Sequence, residues 1–290
     1  MYRRPGSLQE ALETLAEEPN AKVLAGGQSL VPLLSMRLAA PTMLVDINGL
    51  PDLDTVEVTR GGVRLGALCR HAAVLADVGV RRAQPLLALA LESVAHATIR
   101  NRGTVVGSLV HADPAAELPM VLRLLGGSVE VASASGSRTI AADDLYVGPM
   151  ESSLTAGEVA VSAYFPALAN DAGVAFAEVS RRHGDYALCG VGAVVRRDGD
   201  RVVEARAGYL SVADVPTVVD LTGSLSGGVD GAIGDESLAA AAEVALAALD
   251  PADDIHASAA YRAQLVRVLT ARVLREAYER AGQQMSQGER

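Results

Sequence analysis

The hydrophobic positions of the first fifty residues change period several times. Ser7-Leu8-Gln9-Glu10 has the spacing of a capping box, and Leu8, Ala11, Leu12 and Leu15 follow at helical spacing. Residues 22–25 are a short apolar run that stops at Gly26-Gly27, and 29–38 reads as a short helix with Pro32 tolerated in its first turn. A second apolar run, 43–47, completes a helix–strand–helix–strand unit. Beyond Pro51 the pattern restarts with a hairpin, 55–58 and 63–67, turning at Arg60-Gly61-Gly62. Helical periodicity returns at 71–77 and 85–95, a polar loop spans 100–104, and a further helix is predicted at 117–125. A hairpin at 128–134 and 137–141 and a strand at 158–165 close this region.

The texture then changes. Residues 168–172 read as a linker, followed by long strand-like segments at 173–180, 188–196 and 201–212, the last two joined by a turn at Arg197-Asp198-Gly199-Asp200. A glycine-rich loop at 224–234 and two helices, 236–248 and 257–282, end the ordered pattern, with 283–290 expected as a frayed tail. Strands followed by helices predict a separate α+β domain at 173–282, after a first domain at 1–168 whose two lobes divide near residue 55.

Charge and composition narrow the function. The 290 residues carry 25 Lys plus Arg against 35 Asp plus Glu, a net charge of −10, so no general attraction draws this chain to a phosphate backbone, and nucleic-acid binding is not expected. An anionic ligand has to be held by local groups. Cys69 and Cys189 are too few for a disulfide framework, a structural zinc site or an iron–sulfur centre, and read as small buried residues in a reducing compartment. No metal site is expected in this chain. No run approaches the roughly 20 apolar residues that span a bilayer. The N-terminal arginine pair precedes a helix start and no apolar segment of an export signal, so a soluble, cytoplasmic protein is expected.

Three segments concentrate chemistry. Ala25-Gly26-Gly27-Gln28-Ser29 lies between a predicted strand and a predicted helix, where consecutive glycines let main-chain N–H groups approach a pyrophosphate at a helix start. A tight strand-to-helix connection fits the same residues, for neither a Walker A nor a G-x-G-x-x-G pattern is present. Arg100 to Ser108 reads R-N-R-G-T-V-V-G-S, and His111, Asp113 and Glu117 follow closely; a polar crossover loop before a capped helix fits equally. Ser180 to Leu188, S-R-R-H-G-D-Y-A-L, is a polar kink between two strands, with Tyr186 one of few aromatics able to lie against a planar ligand.

Taken in order and at their separations, these segments resemble the FAD-binding medium subunit of the molybdenum hydroxylases, the aerobic carbon monoxide dehydrogenase and xanthine dehydrogenase family. The resemblance rests on A-G-G-Q-S-L-V-P-L-L, the M-L-V-D-I strand, R-N-R-G-T, H-A-D-P-A-A-E-L-P and S-R-R-H-G-D-Y-A-L, and covers almost the whole chain. It implies an α+β fold: a two-lobed FAD-binding domain of the vanillyl-alcohol-oxidase (PCMH) type, then a C-terminal α+β domain with a three-stranded or larger antiparallel sheet and helices. It implies that FAD lies between two glycine-containing loops, here Leu24, Ala25, Gly26, Gly27, Gln28, Ser29 and Leu30, and Thr104, Gly107 and Ser108. Glu117 corresponds to the acidic residue at the flavin's polyol or phosphate region, and Tyr186 with Asp185 to the segment covering the isoalloxazine ring.

By the same resemblance this chain is an oxidoreductase subunit with no catalytic acid or base of its own. A small partner subunit carries two 2Fe-2S clusters, and a large one carries the molybdenum–pterin cofactor, in a dimer of heterotrimers; electrons leave for an external acceptor. Two other readings stay open: a self-standing FAD-dependent dehydrogenase of this fold, or a flavin-free scaffold subunit. The second is motivated by one departure, since the family's T-I-G-G is T-V-V-G here, with Val106 at the first glycine. A valine forced into positive φ or against a ligand weakens binding, and replacing it with glycine then tightens it; a valine at negative φ is harmless.

Overall fold

The computed structural model describes residues 1–225 and 232–288, with side chains through residue 281. Tyr2–Arg3 (β1), Leu8–Glu17 (α1), Lys22–Leu24 (β2), Leu30–Ser35 (α2) and Leu44–Asp46 (β3) build a parallel sheet of order β1-β3-β2. β1 is too short to leave an alternation in the sequence. The Ser7 hydroxyl caps α1 by accepting from Glu10 N at 3.1 Å, while Glu10 Oε2 accepts from Gly6 N at 2.7 Å, one residue earlier than a capping box predicts. Ala11, Leu12 and Leu15 of α1 pack into one core cluster with Val45 and Ile47.

Val56–Val58 (β4) and Gly62–Gly66 (β5) form the expected hairpin, and six helices follow: His71–Ala76 (α3), Val78–Ala83 (α4), Pro85–Ser93 (α5), Ala97–Arg100 (α6), Val105–His111 (α7) and Glu117–Leu124 (α8). Then come Ser128–Ser133 (β6), Gly136–Ala141 (β7), Ala142–Leu145 (α9), Tyr146–Gly148 (β8), Glu151–Ser152 (β9) and Val159–Pro166 (β10). β10 inserts between β5 and β6, so the antiparallel order is β4-β5-β10-β6-β7. The sheet's apolar side, including Val63, Leu65, Val129 and Phe165, shares a core with α5, α7 and α8. The polar stretch 100–104, read as a loop, begins in α6 and ends as the cap of α7.

Ala172–Ser180 (β11), Ala187–Asp198 (β12), Arg201–Leu210 (β13) and Thr217–Asp220 (β14) make a second antiparallel sheet in chain order, one strand more than the sequence pattern marked. Asp235–Ala247 (α10) and Ala259–Gly288 (α11) follow, and their apolar side chains share a core with β12 and β13. The helix assignment runs into the stretch expected as a frayed tail, whose side chains and last two residues lie outside the described residues, as does most of the expected loop 224–234. Nine successive residues of β12, 187–195, are buried because helices cover both faces. On the face away from α11, a Cβ at Gly192 or Gly208 would come within 2.9 and 2.6 Å of the Met120 side chain of α8. These two glycines let α8 lie directly on the sheet, which ties the C-terminal unit to the residues preceding α8.

Candidate functional site

The first glycine loop leaves β2 at Leu24 and enters α2 at Leu30, so Ala25, Gly26, Gly27, Gln28 and Ser29 form the strand-to-helix turn. Gly27 sits at φ +72°, a conformation that disfavours any side chain. Gly26 has a different reason to be glycine. A Cβ there would meet the Arg102 carbonyl, Gly103 Cα at 2.9 Å and Thr104 N at 3.1 Å, so the first loop lies with its backbone against the backbone of the second. Gln28 Nε2 donates to Gly26 O at 3.1 Å, which tightens the turn.

The second segment is not a loop at its glycine. Thr104 is the N-cap of α7, with its hydroxyl accepting from Gly107 N at 3.2 Å, and Ser108 lies within the helix. Here Gly107 is needed because a Cβ would stand 2.5 Å from the Thr104 hydroxyl. The segment is pinned from below: His71 N donates to Gly103 O, and Val105 N to Cys69 O, each at 3.0 Å. Burial pushes the His71 imidazole down to about 4, so it is neutral beneath the loop.

Val106 is helical, 2% exposed, and absent from the positive-φ residues. It belongs to the same core cluster as Leu109 and Leu118. The strain that would have weakened flavin binding therefore does not exist, and the flavin-free scaffold reading loses its motive. Cys69 and Cys189 are buried, with thiols pushed up by burial to about 11 and about 12.

Two residues that hold the loops escaped the sequence reading. Asn48 Nδ2 donates to Ala25 O at 2.7 Å and to Leu24 O at 3.3 Å, and its Oδ1 accepts from Arg70 Nη2 at 2.6 Å. The other guanidinium nitrogen of Arg70 donates to Arg102 O. One asparagine and one arginine thus bridge both loops. The only sequence signal for them is a polar residue just after each of two buried strands, which many surface positions share.

The remaining predicted residues gather beyond the other end of α7. Asp113 accepts from Ala115 N at 2.9 Å in the turn that leads to α8, and Glu117 opens that helix with only 9% exposure. Burial, with Glu178 and Asp113 nearby, pushes the Glu117 carboxyl up to about 8. Glu178 of β11, unmarked by the sequence, is pushed up to about 7 by burial. Tyr186 remains 69% exposed, yet partial burial of its hydroxyl and the Asp113 and Glu117 carboxylates raise its ionisation above the ordinary range. Gly184, at φ +85°, lets the 181–186 turn approach His96, with a Cβ there only 2.6 Å from the ring. Asp185 is exposed on that turn.

The fold thus brings the two loops into backbone contact and sets Glu117 and Tyr186 together, with α7, seven residues and roughly 10 Å long, between the two groups. Residues 1–168 match the family model of the FAD-binding domain in molybdopterin dehydrogenase, and residues 174–277 that of the CO dehydrogenase flavoprotein C-terminal domain. The chain belongs to the FAD-binding medium subunits of the molybdenum hydroxylases. It is 40% identical to the 6-hydroxypseudooxynicotine dehydrogenase complex subunit alpha of Paenarthrobacter nicotinovorans, over 95% of this chain and 93% of that one. It is 32% identical to the carbon monoxide dehydrogenase medium chain of Hydrogenophaga pseudoflava, over 96% and 97%. Quinoline 2-oxidoreductase from Pseudomonas putida 86 superposes with a TM-score of 0.89 at 38% identity, covering 98% of this chain and 97% of that one. As a medium subunit this chain is a component of an oxidoreductase and carries an FAD-binding domain. Among the described residues no helix is long and apolar enough to cross a membrane.

Proposed function

We propose that this medium subunit binds one FAD noncovalently, with the pyrophosphate between Ala25–Ser29 and Thr104–Ser108, the polyol chain toward Glu117, and Tyr186 with Asp185 beside the ring system. The observation that carries this reading is the cradle at Gly26, whose backbone touches that of Arg102 to Thr104 where a Cβ has no room. Neither 24–30 nor 103–108 contains an acidic side chain, so main-chain donors and helix starts face the ligand unopposed in an otherwise acidic protein. Asn48 and Arg70 hold the cradle's shape, which keeps its donors aimed before a ligand arrives.

Bound FAD accepts one or two electrons, chemistry that no side chain here supplies. The protein's part is to bind, orient and shield, and no residue is assigned as acid or base. In this reading the chain is the electron-transfer subunit between the 2Fe-2S clusters of a small partner and an external acceptor, while a large molybdenum–pterin subunit oxidises the substrate. The three chains form a cytoplasmic dimer of heterotrimers. The test is acid precipitation of the complex purified with its partners: all flavin should leave with the supernatant, one per medium subunit. Flavin retained on the polypeptide, or none bound, would contradict the reading.

A further inference from the structure

Glu117 and Glu178 come from different structural units. Glu178 stands opposite Gly190, and Gly190 opposite Leu210, and residues paired across strands share a face. That face is the one on which α8 lies, as Gly192 against Met120 shows. Beyond Leu210, Ser211 donates its N–H to Pro114 O at 2.9 Å, which draws the end of β13 onto the turn before Glu117. Within this junction Glu178 Oε2 and the Ser211 hydroxyl are buried with no hydrogen-bond partner, and Glu117, buried as well, makes no ion pair among the described residues. The titratable groups near Glu117 are Glu178, Asp113 and Tyr186 of the 181–186 turn, with His111 beside Asp113. His111 is held below the ordinary imidazole range by burial, against the pull of Asp113, so it offers no strong counter-charge.

Resting on the flavin reading above, we propose that Glu178 is a positioning residue of the same site: its carboxyl and that of Glu117 hold one proton between them and so fix Glu117 toward the hydroxyl-bearing chain of the nucleotide. Two carboxylates without a cation cannot both ionise cheaply in a buried setting, and their titration belongs to the pair. A shared proton locks the two in a strong hydrogen bond and leaves lone pairs to accept from ligand hydroxyls. Full ionisation adds a second negative charge facing a ligand that is itself anionic.

The experiment is an FAD titration of the full chain from about pH 5 to about pH 9, alongside thermal unfolding of the flavin-free protein over the same range. Affinity should fall as pH rises through the 7 to 8 region where the pair loses its shared proton. Glu178→Gln removes the like-charged neighbour of Glu117 and should move that midpoint down by about one pH unit. Glu178→Asp should keep it near the native value, and Glu117→Gln should weaken the pH dependence to what Glu178 alone retains by burial. The flavin-free protein should lose stability from about pH 5 up to that region and level off above it, because the folded chain retains a proton that the unfolded chain releases; Glu117→Gln should reduce that slope. Coincident midpoints for native and Glu178→Gln proteins would overturn the proposal and leave Glu178 a merely structural part. A Glu178→Gln chain that does not fold leaves the decision to Glu117→Gln, whose unchanged pH profile would be equally fatal. If no FAD binds at any pH the flavin reading fails, while the unfolding profile still decides the pair, a flat native profile refuting it.

Discussion

At the N-terminal end of α7 the candidate site is made of main chain, with Gly26 against the Arg102–Thr104 backbone, and the side chains that matter hold the loops together from behind. At the other end it is made of side chains, Glu117, Glu178 and Tyr186, drawn from a helix start, a strand and a turn that lie far apart in the chain. A backbone cradle is unchanged by pH and tolerates no added bulk. A carboxyl cluster tolerates changes of shape but answers to pH. The first arrangement suits a pyrophosphate, whose charge is constant, and the second a polyol chain whose hydroxyls can give or take hydrogen bonds.

That contrast can be broken at the cradle's support. Val106→Gly should destabilise the chain by about 2–4 kcal/mol, since a buried valine side chain and a helical backbone preference are both lost. FAD affinity should not improve, because glycine relieves no strain at a helical residue. Chemical denaturation with parallel FAD titration checks both, and tighter binding would show that valine obstructs the ligand. A smaller effect is expected from Asn48→Ala, which removes the bonds to Ala25 O and Leu24 O and leaves Arg70 bonded to Arg102 O but no longer to the first loop's support. About 1–2 kcal/mol of loop order should be lost, read as roughly tenfold weaker FAD binding. A loss as large at Gln28→Ala would mean that the loop is held by its own turn and not by Asn48.

What the sequence reveals follows the same division. The first loop, the helices α1, α5 and α8 and the long strands β11 to β13 are legible because each is set by local periodicity or by contiguous small residues. The second glycine segment is misread as a loop, since Gly107 resembles a turn residue while Val105, Val106 and Leu109 carry the apolar face of a short helix. β1 and β14 are missed because two to four residues leave no period. Asn48, Arg70 and Glu178 are missed for another reason. Their roles depend on which segments touch, and no spacing within the chain encodes the Asn48–Arg70 bridge or the approach of β11 to α8.

The central claim is that FAD is held where the backbones of the two loops meet, and one pair of substitutions tests it. Gly26→Ala adds a single methyl against the backbone of residues 102–104, whereas Gly223→Ala adds the same methyl at a glycine with nothing within 4 Å. FAD dissociation constants of both variants and the native chain, measured at equal salt with the fold checked by circular dichroism, isolate the cradle from general destabilisation. The account predicts native affinity for Gly223→Ala and at least about a hundredfold weaker binding for Gly26→Ala, or about 2.7 kcal/mol. Equal affinities for the two variants would contradict it.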